Sequence, residues 1–247
     1  MKGQPPAAAG SVAAPDTLVP RVIGIVGAGR MGSALASLAA GASIRVLVTK
    51  SATTAPPREG SENTSLLVEG ASLDDVIGRS EAVVLALPYD RVETLPALAF
   101  RGALVIDAMN AWPPPRKDNS TESRSGLRER GTSVSVERFL RGAHVVKALN
   151  HLSYRDLATL STPRGSPNRV AVPIAGDRTS DLLGVAALID SLGYDCVVAG
   201  ALEDGLRMEP GSEAFGLIAD KARLREALSR RHTAEPLDSS LEGTVAA

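Results

Sequence analysis

The segment Val22 to Gly41 most constrains what this chain can fold into. An apolar run, Val22 to Val26, lies between Pro20 and Gly27, followed by Gly-Ala-Gly-Arg-Met-Gly at 27–32 and an Ala- and Leu-rich stretch to Ala40. That order is strand, glycine turn, helix, the opening unit of an α/β sheet that binds a dinucleotide. Gly27 permits the tight turn, Gly29 lets a pyrophosphate approach the backbone, and Gly32 lets the helix pack against the strand. The free N–H groups at the helix start then face the phosphate charge.

Five further short apolar runs follow, at Ile44–Thr49, Ser65–Glu69, Ala82–Leu87, Ala103–Asp107 and His144–Leu149. Helical patterns lie between most of them: Ser72–Ile77, Asp90–Leu98 and Ser133–Leu140. Six strands alternating with helices predict an α/β fold, a Rossmann-type doubly wound parallel sheet, over residues 21–150. Residues 151–231 carry a strand pattern at Arg169–Ala175, a helix at Thr179–Leu192, a strand at Asp195–Ala199 and a helix from Ser212 to about Arg230. They are expected to form a small C-terminal α/β lobe. Residues 1–20 and 232–247 lack periodicity and read as disordered tails. Residues 51–63, with Pro56 and Pro57, and 113–132, Pro-rich at its start, read as loops.

Composition narrows the function. Lys plus Arg number 27 against 28 Asp plus Glu, so no basic field draws the chain to nucleic acid. The aromatics number seven, too few for a base-stacking platform. Cys196 is the single cysteine and no Cys/His group has metal-ligand spacing, so neither a disulfide nor a metal is expected. No apolar run approaches the ~20 residues that span a bilayer, and the first 20 residues lack the apolar core of a signal peptide. The expected setting is soluble and cytoplasmic.

At the end of the second strand, where an NAD-binding unit places a carboxylate on the ribose, stand Thr49 and Lys50. A cation and a hydroxyl suit a 2′-phosphate, so NADP(H) is expected over NAD(H). Ligands in open α/β sheets lie beyond the carboxyl ends of the strands. There the chain has Pro88 and Tyr89, Asn110 and Trp112, then Asn150, His151 and Tyr154, an aromatic and amide-lined cleft for nicotinamide and a second planar ring. His151 and Tyr154 are candidate catalytic residues; each has an equally good positioning or packing explanation. Tyr154 is followed by Ala158 at the fourth place, so the Tyr-x-x-x-Lys pair of short-chain dehydrogenases is missing. The C-terminal strand patterns exclude the long helical second domain of β-hydroxyacid dehydrogenases.

Several segments resemble one family. Ile-Gly-Ile-Val-Gly-Ala-Gly-Arg-Met-Gly, Leu-Ala-Leu-Pro ending at Pro88, Ile-Asp-Ala-Met-Asn ending at Asn110 and His-Val-Val-Lys-Ala-Leu-Asn ending at Asn150 are similar to the coenzyme F420-dependent NADP oxidoreductases and their dinucleotide-binding relatives. Pro-Ile-Ala-Gly-Asp at Asp177 and Leu-Arg-Met-Glu-Pro at Pro210 continue the likeness. The resemblance implies that Gly27, Ala28, Gly29, Arg30, Met31 and Gly32 hold the pyrophosphate and that Thr49 and Lys50 hold the 2′-phosphate. It puts Pro88, Asn110 and Asn150 at the nicotinamide, stacked on a deazaflavin, coenzyme F420. Hydride transfer between two aligned cofactors requires no dedicated acid or base. Other readings stay open: an NADPH-dependent reductase of a flavin, small carbonyl or imine, or a non-catalytic NADP-binding regulatory or partner protein. The expected partner is a small redox molecule, and a homodimer or other homo-oligomer is an open expectation.

Overall fold

Parallel strands covered on both faces read as apolar runs, and residues 22–26 (VIGIV) and 82–85 (AVVL) are apolar throughout. The computed structural model describes residues 18–49, 66–112 and 131–230. The first three strands, β1 (Val22–Val26), β2 (Arg45–Thr49) and β3 (Val68–Ala71), pair in parallel in the order β3-β2-β1. On the other side of β1 run β4 (Ala82–Leu85), β5 (Leu104–Asp107) and β6 (His144–Ala148), also parallel. β7 (Ala171–Gly176) joins β6 antiparallel, and β8 (Asp195–Gly200) joins β7 parallel. The order is β3-β2-β1-β4-β5-β6-β7-β8, a Rossmann-type doubly wound α/β sheet. The strands of the C-terminal α/β segment continue that same sheet.

Among the described residues there are six α-helices, α1 (Arg30–Gly41), α2 (Leu73–Gly78), α3 (Thr132–Phe139), α4 (Tyr154–Thr159), α5 (Thr179–Ser191) and α6 (Lys221–Ser229). α1 buries Gly32, Leu35, Ala36, Ala39 and Ala40, a mostly small-residue face that lets it lie close on the sheet. Ser43 ends it in the left-handed conformation (φ 63°), and the Ile44 N–H donates back to the Ala39 carbonyl at 3.0 Å. One apolar layer joins Ile25, Leu35, Val84, Ile106 and Ile174; the other joins Leu47, Leu85, Phe100, Val105 and Val136. Side chains of this size contribute roughly 1.5–3 kcal/mol each when fully buried.

Ser72 caps α2 as its sequence pattern predicts, its Oγ accepting the Asp75 N–H at 3.1 Å. Two expected helices differ. Over Asp90–Leu98 the chain forms two 3-10 turns, Tyr89–Thr94 and Ala97–Phe100. Pro96 between them brings no N–H and forces Leu95 into extended backbone, so one α-helix cannot run through. The helix expected from Ser212 starts only at Lys221, because Gly211 (φ 93°) and Gly216 (φ 77°) break the earlier part. Asp220 then caps it, accepting from the Arg223 N–H at 2.9 Å. A third 3-10 segment, Leu202–Met208, was not anticipated from the sequence, and it borders the site. The segments expected as loops at 51–63 and 113–132 and as tails at 1–20 and 232–247 lie outside the described residues, except that 18–20 are described, with Pro20 buried, and 131–132 are described, with Thr132 already beginning α3.

Candidate dinucleotide and hydride-transfer site

The strand order reverses between β1 and β4, and the glycine turn sits at that reversal. Gly27 adopts φ 115°, and a Cβ there would stand 2.3 Å from the Ala86 carbonyl oxygen where β4 ends. A Cβ on Gly32 would stand 1.8 Å from the Gly27 carbonyl oxygen. Both glycines are therefore required by the chain's own packing. Gly29 differs: a Cβ there would meet nothing within 4 Å. It is the N-cap of α1, and no side chain caps that helix end. The turn thus offers an open backbone face and uncapped first-turn N–H groups, which fits a phosphate group.

Thr49 braces this turn. Its Oγ1 accepts the Gly27 N–H at 3.0 Å, tying the end of β2 to the exit of β1. The hydroxyl retains its own proton for a second bond. Lys50, the other residue expected at a 2′-phosphate, lies outside the described residues.

Beyond β5 and β6 two amides lock together. Asn110 Nδ2 donates to the Asn150 carbonyl at 2.9 Å, and Asn150 Nδ2 donates to Asn110 Oδ1 at 3.0 Å and to the Met208 carbonyl at 2.8 Å. Leu149, buried and at φ 62°, turns the chain out of β6 into this contact. A leucine in that region is strained and must be held by its surroundings. The Oδ1 of Asn150 is buried and has no hydrogen-bond partner among the described residues.

Beneath the amides lies a buried ionic network. Lys147 Nζ, fully enclosed, donates to the Met109 carbonyl at 2.6 Å and to Asp107 Oδ2 and Thr132 Oγ1 at 3.3 Å each. Asp107 also accepts from Ser133 Oγ at 2.6 Å and from the Met109 N–H at 2.9 Å. Glu209 accepts from the Thr132 N–H at 2.7 Å and its hydroxyl at 2.6 Å, placing a carboxylate at the start of α3. The network joins β5, β6, α3 and the end of the 3-10 segment at Met208. Its signal in the sequence is a lysine inside an apolar strand, which must find a partner; Asp107, the partner, is its register neighbour on β5.

The aromatic residues expected on one rim take separate roles. Tyr89 opens the turn after Pro88 and hydrogen-bonds to Ser135; burial, with the charge of Asp107, pushes its phenol up to about 12. Trp112, 54% exposed, packs edge-on against Phe215, ring centres 5.9 Å apart. Tyr154 faces α1, with the Arg30 guanidinium 5.3 Å from its ring centre. Hydrogen bonds from Arg30 and then Arg155 hold its phenol below the usual value.

His151 requires a correction. Expected on the rim as a candidate acid, it is 1% exposed, and neither ring nitrogen makes a hydrogen bond of good geometry among the described residues. Its carbonyl accepts the Gly216 N–H at 2.8 Å, fastening the C-terminal segment to the end of β6. Burial drives the imidazole down to about 3, against the opposite influence of the Ala171 backbone nearby. An enclosed neutral imidazole cannot serve as a solvent-facing acid. Cys196, half-buried on β8, has its thiol pushed up to about 12 by desolvation, as suits an unreactive cysteine. Among the described residues no three His, Cys, Asp or Glu gather as a metal would need, and no helix is long and apolar enough to cross a membrane.

The fold is shared with solved structures. A hypothetical protein of Sinorhizobium meliloti, SMa0349, superposes with a TM-score of 0.65 at 27% identity, covering 81% of this chain and 95% of the other. A protein of Arthrobacter sp. FB24 proposed to be an F420-dependent NADP-reductase gives 0.56 at 20% identity, covering 74% and 86%. The 3-hydroxyisobutyrate dehydrogenase of Mycobacterium tuberculosis gives 0.51 at 17%, with 75% of this chain covering 56% of that longer one. No curated protein matches the chain in sequence. One family matches over residues 22–111, which contain the glycine turn, the Thr49 brace and the strands as far as Asn110. Over those residues the chain is similar to the family described as NADP oxidoreductase, coenzyme F420-dependent.

Proposed function

We propose that the chain is an oxidoreductase that moves a hydride between NADP(H) and a second redox cofactor, the deazaflavin coenzyme F420. The observation that carries this reading is the open face at Gly29, braced by Thr49, at the point where the sheet reverses. Gly27 to Gly32 would hold the pyrophosphate, Thr49 and Lys50 the 2′-phosphate, and Pro88, Asn110 and Asn150 the nicotinamide end. The buried and unpaired Asn150 Oδ1 is a ready acceptor for a carboxamide N–H.

The acid–base inventory supports the same class of reaction. His151 is enclosed, and the Tyr89 phenol, with its pKa raised, stays protonated at neutral pH. In the proposed reaction one hydride leaves NADPH and one proton comes from solvent, so the deazaflavin gains two electrons. The protein's part is alignment of two ring systems with water kept out.

The test is anaerobic addition of NADPH to the protein with oxidised F420. Loss of the deazaflavin absorbance at a rate proportional to protein concentration supports the proposal. Tight NADPH binding with no turnover of deazaflavin, flavin, carbonyl or imine would instead identify a non-catalytic dinucleotide-binding protein. Turnover of flavin, carbonyl or imine alone would identify a reductase with a different acceptor. In the same assay Lys50→Glu should weaken NADPH binding far more than NADH binding.

A further inference from the structure

Two cations on neighbouring helices converge on one phenol at the mouth of the glycine turn. Arg30 is the first residue of α1, directly after Gly29, and its guanidinium carbon lies 5.3 Å from the centre of the Tyr154 ring. Arg155 places its own guanidinium 5.6 Å from the same ring, and its Nε donates to the Tyr154 hydroxyl at 3.0 Å. α1 and α4 pack against each other, which brings the three side chains together.

Both arginines are exposed, and neither forms an ion pair with a carboxylate of the described residues. Several other arginines are paired, Arg45 and Arg79 with Glu69, Arg169 with Asp190 and Asp195, and Arg223 and Arg230 with Glu226, whereas Arg30 and Arg155 share one phenol at the glycine turn. Two unneutralised guanidiniums on one ring repel each other, and an anion between them would remove that cost. The nearest open anion-binding surface is the Gly29 face, one residue from Arg30.

Topology decides which part of a dinucleotide this cluster would meet. α4 follows β6, which lies across β4 and β5 from β1, whereas Thr49 ends β2 on the opposite side of β1. The cluster therefore approaches the turn from the side away from the 2′-phosphate end.

We propose that Arg30 and Arg155, held in place by Tyr154, form a clamp on the pyrophosphate of the bound dinucleotide. Backbone N–H groups of the glycine turn meet the phosphates from one side and the guanidinium forks from the α4 side. Arginine suits this because its planar fork binds two phosphate oxygens at once. Arg30 and Arg155 are binding residues in this scheme and Tyr154 is a positioning residue. The inference rests on the proposed NADP(H) reading.

The test measures affinity for NADPH and for NADH by fluorescence titration at low and high salt, using the wild-type chain, Arg155→Gln, Arg155→Lys and Tyr154→Ala. Arg155→Gln is expected to weaken both nucleotides equally, by about tenfold at low salt, with a shallower salt dependence than wild type. Arg155→Lys should restore part of the loss, since it keeps the charge but not the fork. Tyr154→Ala should weaken both nucleotides while leaving the thermal unfolding midpoint near that of wild type. A loss confined to NADPH would assign the cation to the 2′-phosphate and overturn the clamp, as would unchanged affinities in the variants of a wild-type protein that binds. A wild-type protein that binds neither nucleotide would overturn the clamp and the proposed function together.

Discussion

Asn110 and Asn150, forty positions apart, bind each other reciprocally: the amide of Asn110 donates to the Asn150 backbone, and that of Asn150 donates to the Asn110 side chain. Because Asn150 also donates to the Met208 carbonyl, it holds three segments together where β5, β6 and the last 3-10 segment meet. Asn150→Ala should cost about 2–3 kcal/mol in urea unfolding, since it strands two buried acceptors. Asn150→Asp should cost more than the alanine change, because it turns a donor into an acceptor facing two oxygens. Equal stability of the aspartate and wild-type proteins would refute the assigned amide orientation.

Gly29 and Gly32 separate ligand binding from folding. A Cβ at Gly32 collides with the Gly27 backbone, so Gly32→Ala should lower the unfolding midpoint and abolish dinucleotide binding together. Gly29 has open space and φ −76°, a conformation any residue adopts, so Gly29→Ala should fold with stability within about 1 kcal/mol of wild type. Its NADPH affinity should nevertheless fall by at least about tenfold if the phosphate takes the space the methyl fills. Undiminished affinity in Gly29→Ala would remove the pyrophosphate from this face.

The parts of the fold readable from sequence were those fixed by local chemistry. The apolar runs of β1, β4, β5 and β6 and the glycine turn need no distant partner to be recognised. Asp90 and Glu93 stand at capping-box spacing, which favours a helix over Asp90–Leu98, but Pro96 and the extended Leu95 before it break the segment into two 3-10 turns. In the site, the sequence order along the strand ends placed Asn110 and Asn150 near each other, yet it also placed His151 on the surface. A turn at Leu149 with positive φ decides which side of the chain faces inward, and no residue type signals it, since leucine there is unfavourable. Glu209 and Met208 were unreadable for a different reason: they reach the site only through tertiary contact, from the far side of β7 and β8.

Lys147 and Asp107 form an enclosed ion pair whose value lies in being complete. Lys147→Met leaves Asp107 buried without its cation and should destabilise the protein by about 3–5 kcal/mol. Adding Asp107→Leu to Lys147→Met should recover part of that loss, because the second change removes the stranded carboxylate, although Ser133 and the Met109 N–H then lose an acceptor. A double-mutant cycle in urea measures the coupling; strict additivity would mean the two side chains do not depend on each other.

His151 makes stability depend on pH in a predictable direction. Its folded-state value, about 3, lies below the ordinary 6.5, so between these limits the unfolded chain takes up a proton that the folded chain refuses. Proton uptake by the unfolded state favours unfolding, so this contribution is fully present above 6.5 and is lost as pH falls toward 3. The difference in unfolding free energy between wild type and His151→Leu should be constant above about pH 7 and should shift against wild type below it, by at most about 1.4 kcal/mol per pH unit. Parallel profiles for the two proteins down to pH 4 would mean that the His151 ring reaches solvent or a hidden acceptor in the folded state, and the assignment of His151 as an enclosed neutral imidazole would fall.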